Sequence, residues 1–404
     1  MGRPKIWGWR AALLGVCMAT GYMPAMAADA NVRGGWTRVQ PLGGIVGIDG
    51  ATHSASCSGY PGTDSNFYFY TRKGKFPNLV VYFEGGGACW DSETCTYPDG
   101  KLPAGVSQYF AASLATSQHP ADLHGMFNLS RSDNPVKDWN MVYVPYCTAD
   151  LHAGATTRTY DNVGHPVYTS LPESFPIRHN GHSNTMVVLD WVKNNWKEVP
   201  QRVLVAGSSA GGYGASIQFP WLRNLYRPAK IDLFVLADAS QGVTTPNWDQ
   251  SSPGRGSWSL SLPAWADSIG LVNISGLELL RLAAQSDPSA KVAQFTTVSD
   301  HVQAAYYGEI KQRYDPGGSC ANLTQDWSSQ SVSTMVSYAN TVSNYRHYLA
   351  AGSYHTILTG TNFYTERSAG PTFNNWLSAM LDGRDAWRNV ACLGCLTPAP
   401  CTGP

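Results

Sequence analysis

Charge is what this sequence has least of. Asp, Glu, Lys and Arg make up 14% of its 404 residues, split 28 acidic to 28 basic, where globular domains carry about 25%. A balance of zero gives no long-range pull on a polyanion, so a nucleic-acid partner held by a basic face is excluded. No run beyond the N-terminus is apolar for long enough to span a bilayer. Linkers of biased composition and internal repeats are absent, which argues for one domain rather than a string of modules. Histidines and carboxylates do not cluster at metal-ligand spacing, so neither a metal centre nor a cofactor is expected.

What is there begins at the N-terminus. Arg3, Lys5 and Arg10 precede a mostly apolar run over 11–19, and Ala25-Met26-Ala27 supplies small residues for cleavage. This is the pattern of a secretory signal peptide over 1–27, and Gly21 and Pro24 interrupt it too early for a membrane helix. Cleavage near Ala27 leaves 25 basic against 28 acidic residues, a net of −3. The remaining 28–404 is expected to form a single α/β domain, in the periplasm or outside the cell. Eight cysteines stay with it: Cys57, Cys89, Cys95, Cys147, Cys320, Cys392, Cys395 and Cys401. An even number in an exported chain reads as disulfides. A zinc site in the Cys-rich tail 385–404 would lack both a nearby histidine and a second cysteine pair.

Apolar runs at 78–83, 139–146, 203–206, 231–237 and 292–298 have the length and content of buried strands, with a shorter one expected at 354–358. Helices are expected over 185–196, about 210–225 and 372–381. Strands alternating with helices imply a mostly parallel sheet covered on both faces. The strand at 203–206 runs into Gly207-Ser208-Ser209-Ala210-Gly211, a G-x-S-x-G pattern, and then into a helix. In that setting the central serine, Ser209, sits on a tight turn that pushes its hydroxyl out of the sheet, and the fold is of α/β-hydrolase type. The segment 241–290 is a long insertion containing Trp248, Trp258 and Trp265. It reads equally as a lid and as a surface loop anchored by tryptophan packing.

A serine nucleophile needs a base and an acid to orient that base, and in this fold they follow in the order Ser, Asp or Glu, His. Asp300 follows the strand at 292–298, and His355 lies late in the chain; both suit those roles. Asp238, at the end of the strand after the elbow, is the rival acid. His179, His182, His301 and His347 are rival bases. Glu84-Gly85-Gly86-Gly87 follows an early strand, and its bare backbone can bring the amides of Gly86 and Gly87 to a developing oxyanion together with that of Ala210.

These residues carry a likeness. Leu79-Val-Val-Tyr-Phe-Glu-Gly-Gly-Gly-Ala-Cys89 with Cys95, Met141-Val-Tyr-Val-Pro-Tyr-Cys-Thr-Ala-Asp150, Val203-Leu-Val-Ala-Gly-Ser-Ser-Ala-Gly-Gly212 and Leu236-Ala-Asp238 follow one another as in the pectin acetylesterase/Notum family of extracellular serine esterases, which the chain resembles from about 57 to 380. The resemblance implies Ser209, Asp300 and His355 as the catalytic residues and Asp238 as a structural one. It also implies disulfides pairing Cys89 with Cys95 and Cys57 with Cys147, and leaves the other four cysteines unassigned. Many relatives carry tryptophan where this chain has Ala88, which implies more open surroundings for the acyl and leaving groups.

The expected function is a secreted carboxylic-ester hydrolase that removes acetyl groups from an acylated polysaccharide such as pectin. Fourteen Trp and 21 Tyr suit stacking on sugar rings, and equally a large aromatic core. The alternatives are a fatty-acyl or polyester-type esterase with the same triad, and a secreted binding protein that has lost turnover.

Overall fold

Strands apolar on both faces belong inside a sheet covered on both sides, and the chain folds that way. The computed structural model describes residues 2, 27–28, 33–97, 109–164, 171–227, 229–250, 258–263, 278–316, 322–392 and 395. Six parallel strands form the centre of a nine-stranded sheet: β7 (Trp139–Val144), β6 (Phe76–Phe83), β10 (Arg202–Ser208), β11 (Asp232–Asp238), β12 (Lys291–Thr297) and β13 (Tyr345–Ala350), in that spatial order. At the β7 edge β5 (Phe69–Arg72), β2 (Trp36–Gln40) and β1 (Ala27–Ala28) continue the sheet through antiparallel pairings. Two small antiparallel pairs lie apart from it, β3 (Ile45–Val46) with β4 (Thr52–His53), and β8 (Thr156–Asp161) with β9 (Ser174–His179).

The period of two along each strand sends alternate residues into two separate cores. Leu79, Val81, Val203, Val205, Val235 and Val292 face one layer, where they meet Met186, Val188 and Leu189 of α2 (Gly181–Asn195), Phe219 and Leu222 of α3 (Ala210–Leu225), and Ala283 of α5 (Glu278–Ser286). Val80, Tyr82, Leu204, Ala206, Leu236 and Phe295 face the other, where α8 (Phe373–Leu381) buries Phe373, Trp376, Leu377 and Met380. Each buried Val, Leu, Met and Phe among these contributes about 1.5–3 kcal/mol. The remaining described helices are α1 (Ser92–Thr96), α4 (Pro246–Gln250), α6 (His301–Tyr314) and α7 (Leu323–Thr341). Among the described residues no helix is long and apolar enough to cross a membrane.

Two features depart from the sequence expectations. Residues 354–358 are irregular rather than a strand. Thr356 has φ +71°, and the amides of Ile357 and Leu358 donate to the Asp238 carboxylate instead of to a neighbouring strand. The last strand is β13, whose Arg346 and His347 hide its apolar alternation. In addition α2 begins at Gly181, earlier than its apolar residues imply, because the buried Asp150 carboxylate accepts the Gly181 amide at 2.7 Å.

The structure joins Cys57 to Cys147, Cys89 to Cys95 and Cys392 to Cys395. Cys320 and Cys401 lie outside the described residues, as do 3–26 of the expected signal peptide, 251–257 and 264–277 of the expected insertion with Trp265, and most of the tail. Within the insertion, Trp248 packs edge-on against Trp90 and close to Ile310 of α6, while the indole N–H of Trp258 donates to the Cys89 carbonyl at 2.8 Å. Both are anchors in the protein body beside the Cys89–Cys95 loop.

Loop closure makes a crosslink stabilise more when it spans more chain. The Cys57–Cys147 bridge spans 90 residues and Cys89–Cys95 spans 6. Cys57→Ala/Cys147→Ala is therefore expected to lose about 2–5 kcal/mol in urea unfolding, and Cys89→Ala/Cys95→Ala clearly less. An equal loss from both would contradict this ranking.

Candidate active site

β10 ends at Ser208, and the chain must turn at once to start α3. Ser209 makes that turn with φ +57° and ψ −125°, a backbone region costly to a residue with a side chain, about 1–3 kcal/mol. Its amide donates to the Asp238 carbonyl at 2.8 Å. The turn is so tight that a Cβ at Gly211 would overlap the Phe83 carbonyl oxygen at the end of β6, so only glycine fits there. Ser209 is left partly exposed at the C-terminal edge of the sheet, with the first turn of α3 and its positive dipole end directly behind it.

Asp300 and His355 meet at the same edge. The His355 Nδ1–H donates to Asp300 at 2.9 and 3.0 Å, which places the Nε2 lone pair on the far side of the ring. Asp300 is fully buried and also caps α6, accepting the amides of Val302 and Gln303. Burial alone would lower the pKa of His355, but the charge and hydrogen bond of Asp300 outweigh it and hold the imidazole above its ordinary value. Nε2 is buried and has no hydrogen-bond partner among the described residues. His355 lines the same cavity as Ser209 and the glycines Gly85, Gly86 and Gly87.

That cavity has a volume of about 300 Å³. Tyr82, Glu84, Gln118, Leu123 and Tyr143 line one side, and Val302 and Tyr306 of α6 another. A larger cleft of about 620 Å³, lined by Arg223, Arg227 and Asp232, lies where β11 begins, at the opposite end of the strands, and holds none of the candidate residues.

The glycine loop is held on all sides. A short bridge between Gly87 and Phe110 uses the Ala88 amide and the Gly86 carbonyl, and does not use the amides of Gly86 and Gly87. Gly87 has φ +73°, and a side chain there would run into the Tyr109 carbonyl and the Tyr306 hydroxyl. Glu84 accepts the Ser117 hydroxyl at 2.7 Å and the Tyr146 amide at 3.1 Å. Burial, which these bonds only partly offset, pushes its pKa up. Ala88 is buried and bridged to Asp150, and it is not part of the cavity lining. Tyr306 lines the cavity beside the glycines.

The other candidates have separate partners. Asp238 is fully buried, and its carboxylate accepts the Ser208 hydroxyl and the amides of Ile357 and Leu358. His179 pairs with the Tyr160 hydroxyl, and His347 lies in β13; burial lowers the pKa of each to about 4. His182 contacts Asp49, and His301 is exposed and donates to the Ser353 carbonyl. Sequence reasoning gave Glu84 no role and missed Tyr82, whose hydroxyl donates to Ser208 at 3.0 Å and continues the Ser208–Asp238 chain.

A family model described as pectinacetylesterase matches residues 43–251. The palmitoleoyl-protein carboxylesterase notum2 of Xenopus laevis is 28% identical over 160 residues, which is 39% of this chain and 28% of that protein. NOTUM of Schmidtea mediterranea is 25% identical over 182 residues, 43% of this chain and 30% of that one. The chain thus spans under a third of the length of these curated relatives. An inactive palmitoleoyl-protein carboxylesterase notum1b of Danio rerio is 29% identical over 115 residues, 28% of this chain and 74% of that one. The crystal structure of the Wnt deacylase Notum from Drosophila superposes with a TM-score of 0.58 at 16% identity, over 90% of this chain and 98% of that one. That likeness establishes an α/β-hydrolase-like fold.

Because Asp300 is what holds His355 above its ordinary pKa, Asp300→Asn leaves burial to act with little opposition. NMR titration of the histidine ring is expected to find His355 above about 6.5 in the wild type and displaced to lower pH in Asp300→Asn, with a smaller change in Asp238→Asn. A larger change at Asp238 would mean that Asp300 does not govern the imidazole.

Proposed function

The chain belongs to the pectinacetylesterase family, and on that premise we propose that it is a secreted serine carboxylesterase with Ser209, His355 and Asp300 as its catalytic triad. The observation that carries this reading is the unpaired Nε2 of His355, oriented by Asp300 and lining one cavity with the strained Ser209. His355 Nε2 removes the Ser209 proton as Oγ attacks the acyl carbonyl, and Asp300 stabilises the imidazolium that forms. The amides of Gly86, Gly87 and Ala210 receive the oxyanion. Nε2–H then protonates the departing alkoxide, leaving an acyl-serine. Water, deprotonated by His355, attacks the acyl-serine, and Ser209 is regenerated as the carboxylic acid leaves.

We infer a short acyl group, acetyl, on a hydroxyl-rich alcohol such as a polysaccharide. A long acyl chain needs a deep apolar pocket. Among the described residues the cavity offers two aliphatic side chains, Leu123 and Val302, against Glu84, Gln118, Thr356, Thr359 and three tyrosines. The relatives named as palmitoleoyl-protein carboxylesterases support the alternative of a lipid ester, and the inactive relative supports a binding protein without turnover. Export fits both the N-terminal sequence and the disulfides, since such bonds persist in oxidising compartments.

Hydrolysis of p-nitrophenyl esters from acetyl to palmitoyl separates these readings. Activity is expected to peak at acetyl, to fall at least about 10⁴-fold in Ser209→Ala, and to fall about 10⁴-fold in Asp300→Asn. An optimum at long chains transfers the substrate to the lipid class, and a greater loss in Asp238→Asn than in Asp300→Asn overturns the choice of acid. Activity surviving Ser209→Ala would remove the nucleophile assignment, and a wild type inactive on every ester favours the binding protein.

A further inference from the structure

Away from the catalytic cavity, the turn between β3 and β4 and the first turn of α2 bring Asp49, His53 and His182 together. His53 Nε2 lies 3.0 and 2.9 Å from the two Asp49 oxygens, and His182 Nε2 lies 3.3 Å from Oδ2. One donor atom from each residue falls within 4.8 Å of the other two. The side chains are 10%, 6% and 1% exposed in that order. Each ring is also held from behind at Nδ1, His53 by the Ser183 hydroxyl at 3.1 Å and His182 by Gln218 Oε1 at 3.4 Å. The sequence conceals this cluster, because 133 positions separate Asp49 from His182.

The hydrogen atoms at His182 do not balance without a cation. Gln218 Nε2 donates to the His152 carbonyl at 2.6 Å, so the atom facing His182 is the amide oxygen, which only accepts. Nδ1 of His182 therefore carries the ring proton. In the neutral ring Nε2 is then a bare lone pair, and it faces a carboxylate oxygen that also only accepts. Two acceptors 3.3 Å apart in the interior need a proton or a metal ion between them. His53 has no such conflict, since it can donate from Nε2 to Asp49 while the Ser183 hydroxyl donates to Nδ1.

We propose that Asp49, His53 and His182 form a structural site for a divalent transition metal of the zinc class, ligated by the two Nε2 atoms and one Asp49 oxygen. Bonds of about 2.0–2.2 Å in a tetrahedral site put neighbouring donor atoms about 3.3 Å apart, close to the separations of Asp49 from the two histidines. Imidazole donors favour zinc over calcium and magnesium. Ser183 and Gln218 fix the ring orientations from outside, as hydrogen-bonded partners do at such sites. The metal ties the β3–β4 hairpin to α2 and, through Gln218, to α3, the helix that follows Ser209. It takes no part in ester hydrolysis. The second group of potential ligands, Cys89, Cys95 and His179, carries no such proposal because its cysteines are joined to each other.

The rival occupant is a proton on His182 Nε2, which would make the cluster an imidazolium–carboxylate pair. The full mature protein, stripped with EDTA and dialysed, is titrated with zinc chloride by calorimetry and melted with and without zinc. One zinc ion per chain, a Kd in the micromolar range or tighter and a raised Tm are expected, with affinity at least about tenfold weaker in Asp49→Asn and in His53→Gln. Cobalt substitution is expected to give the visible absorption of a tetrahedral centre. A wild type that takes up no zinc below millimolar concentration and melts unchanged overturns the site in favour of the proton. Zinc uptake undiminished in both variants overturns it as well, because the metal is then held elsewhere. Should either variant fail to fold, the wild-type titration and the cobalt spectrum decide.

Discussion

Asp238 is the joint on which the candidate site depends. Its carbonyl accepts the Ser209 amide and so holds the Ser209 turn in its costly conformation. Its carboxylate accepts the amides of Ile357 and Leu358 and so holds the loop that carries His355. One residue at the end of β11 thus fixes two segments far apart in sequence, and a shift there moves the turn and the base loop together. Burial pushes its pKa up to about 6, while three hydrogen bonds favour the anion. Asp238 is turned to these donors, and it is Asp300 that hydrogen-bonds the imidazole.

The glycine loop opposite is fixed by a different device. Three bare glycines in sequence would lose much conformational entropy on folding. Here Glu84 anchors one end through Ser117 and the Tyr146 amide, the Gly87–Phe110 bridge holds the middle, and the Cys89–Cys95 bond with Trp258 closes the other end. Asp150 performs the same service behind it, accepting four bonds from Thr148, His152, Gly154 and Gly181. The oxyanion role proposed for this loop calls for donors that need no reorganisation, and the loop is held at both ends and in the middle.

The central strands were legible because residues such as Val203, Leu204 and Val205 are buried on both faces, leaving a continuous apolar run. The nucleophile turn was legible because its glycines are sterically forced. β13 was not, because an edge strand bearing Arg346 and His347 does not look apolar. Residues 354–358 look like a strand, but the Asp238 carboxylate takes the amides a strand would use, and no local pattern records a partner more than a hundred residues away. The same distance hid the Asp49, His53 and His182 cluster. The resemblance to a known family, not spacing, separated Asp300 from Asp238 and paired Cys57 with Cys147.

Asp300 links the chemistry to the shape of the cavity. The carboxylate that orients His355 also caps α6, and α6 supplies Val302 and Tyr306 to the cavity wall. Removing the side chain altogether would loosen the wall and the base at once, so an alanine there could not separate the two roles. Asparagine can. It is as good an N-cap as aspartate, and its oxygen can keep the Val302 and Gln303 amides. Its amide group, however, presents hydrogens to the imidazole, so Nδ1 must become the acceptor and the ring proton moves to Nε2. The wall then stands, but Nε2, the nitrogen proposed as the base, has lost the lone pair that a base requires. The proposed chemistry of this edge of the sheet therefore turns on which ring nitrogen carries a proton, and Asp300 sets that by accepting from Nδ1.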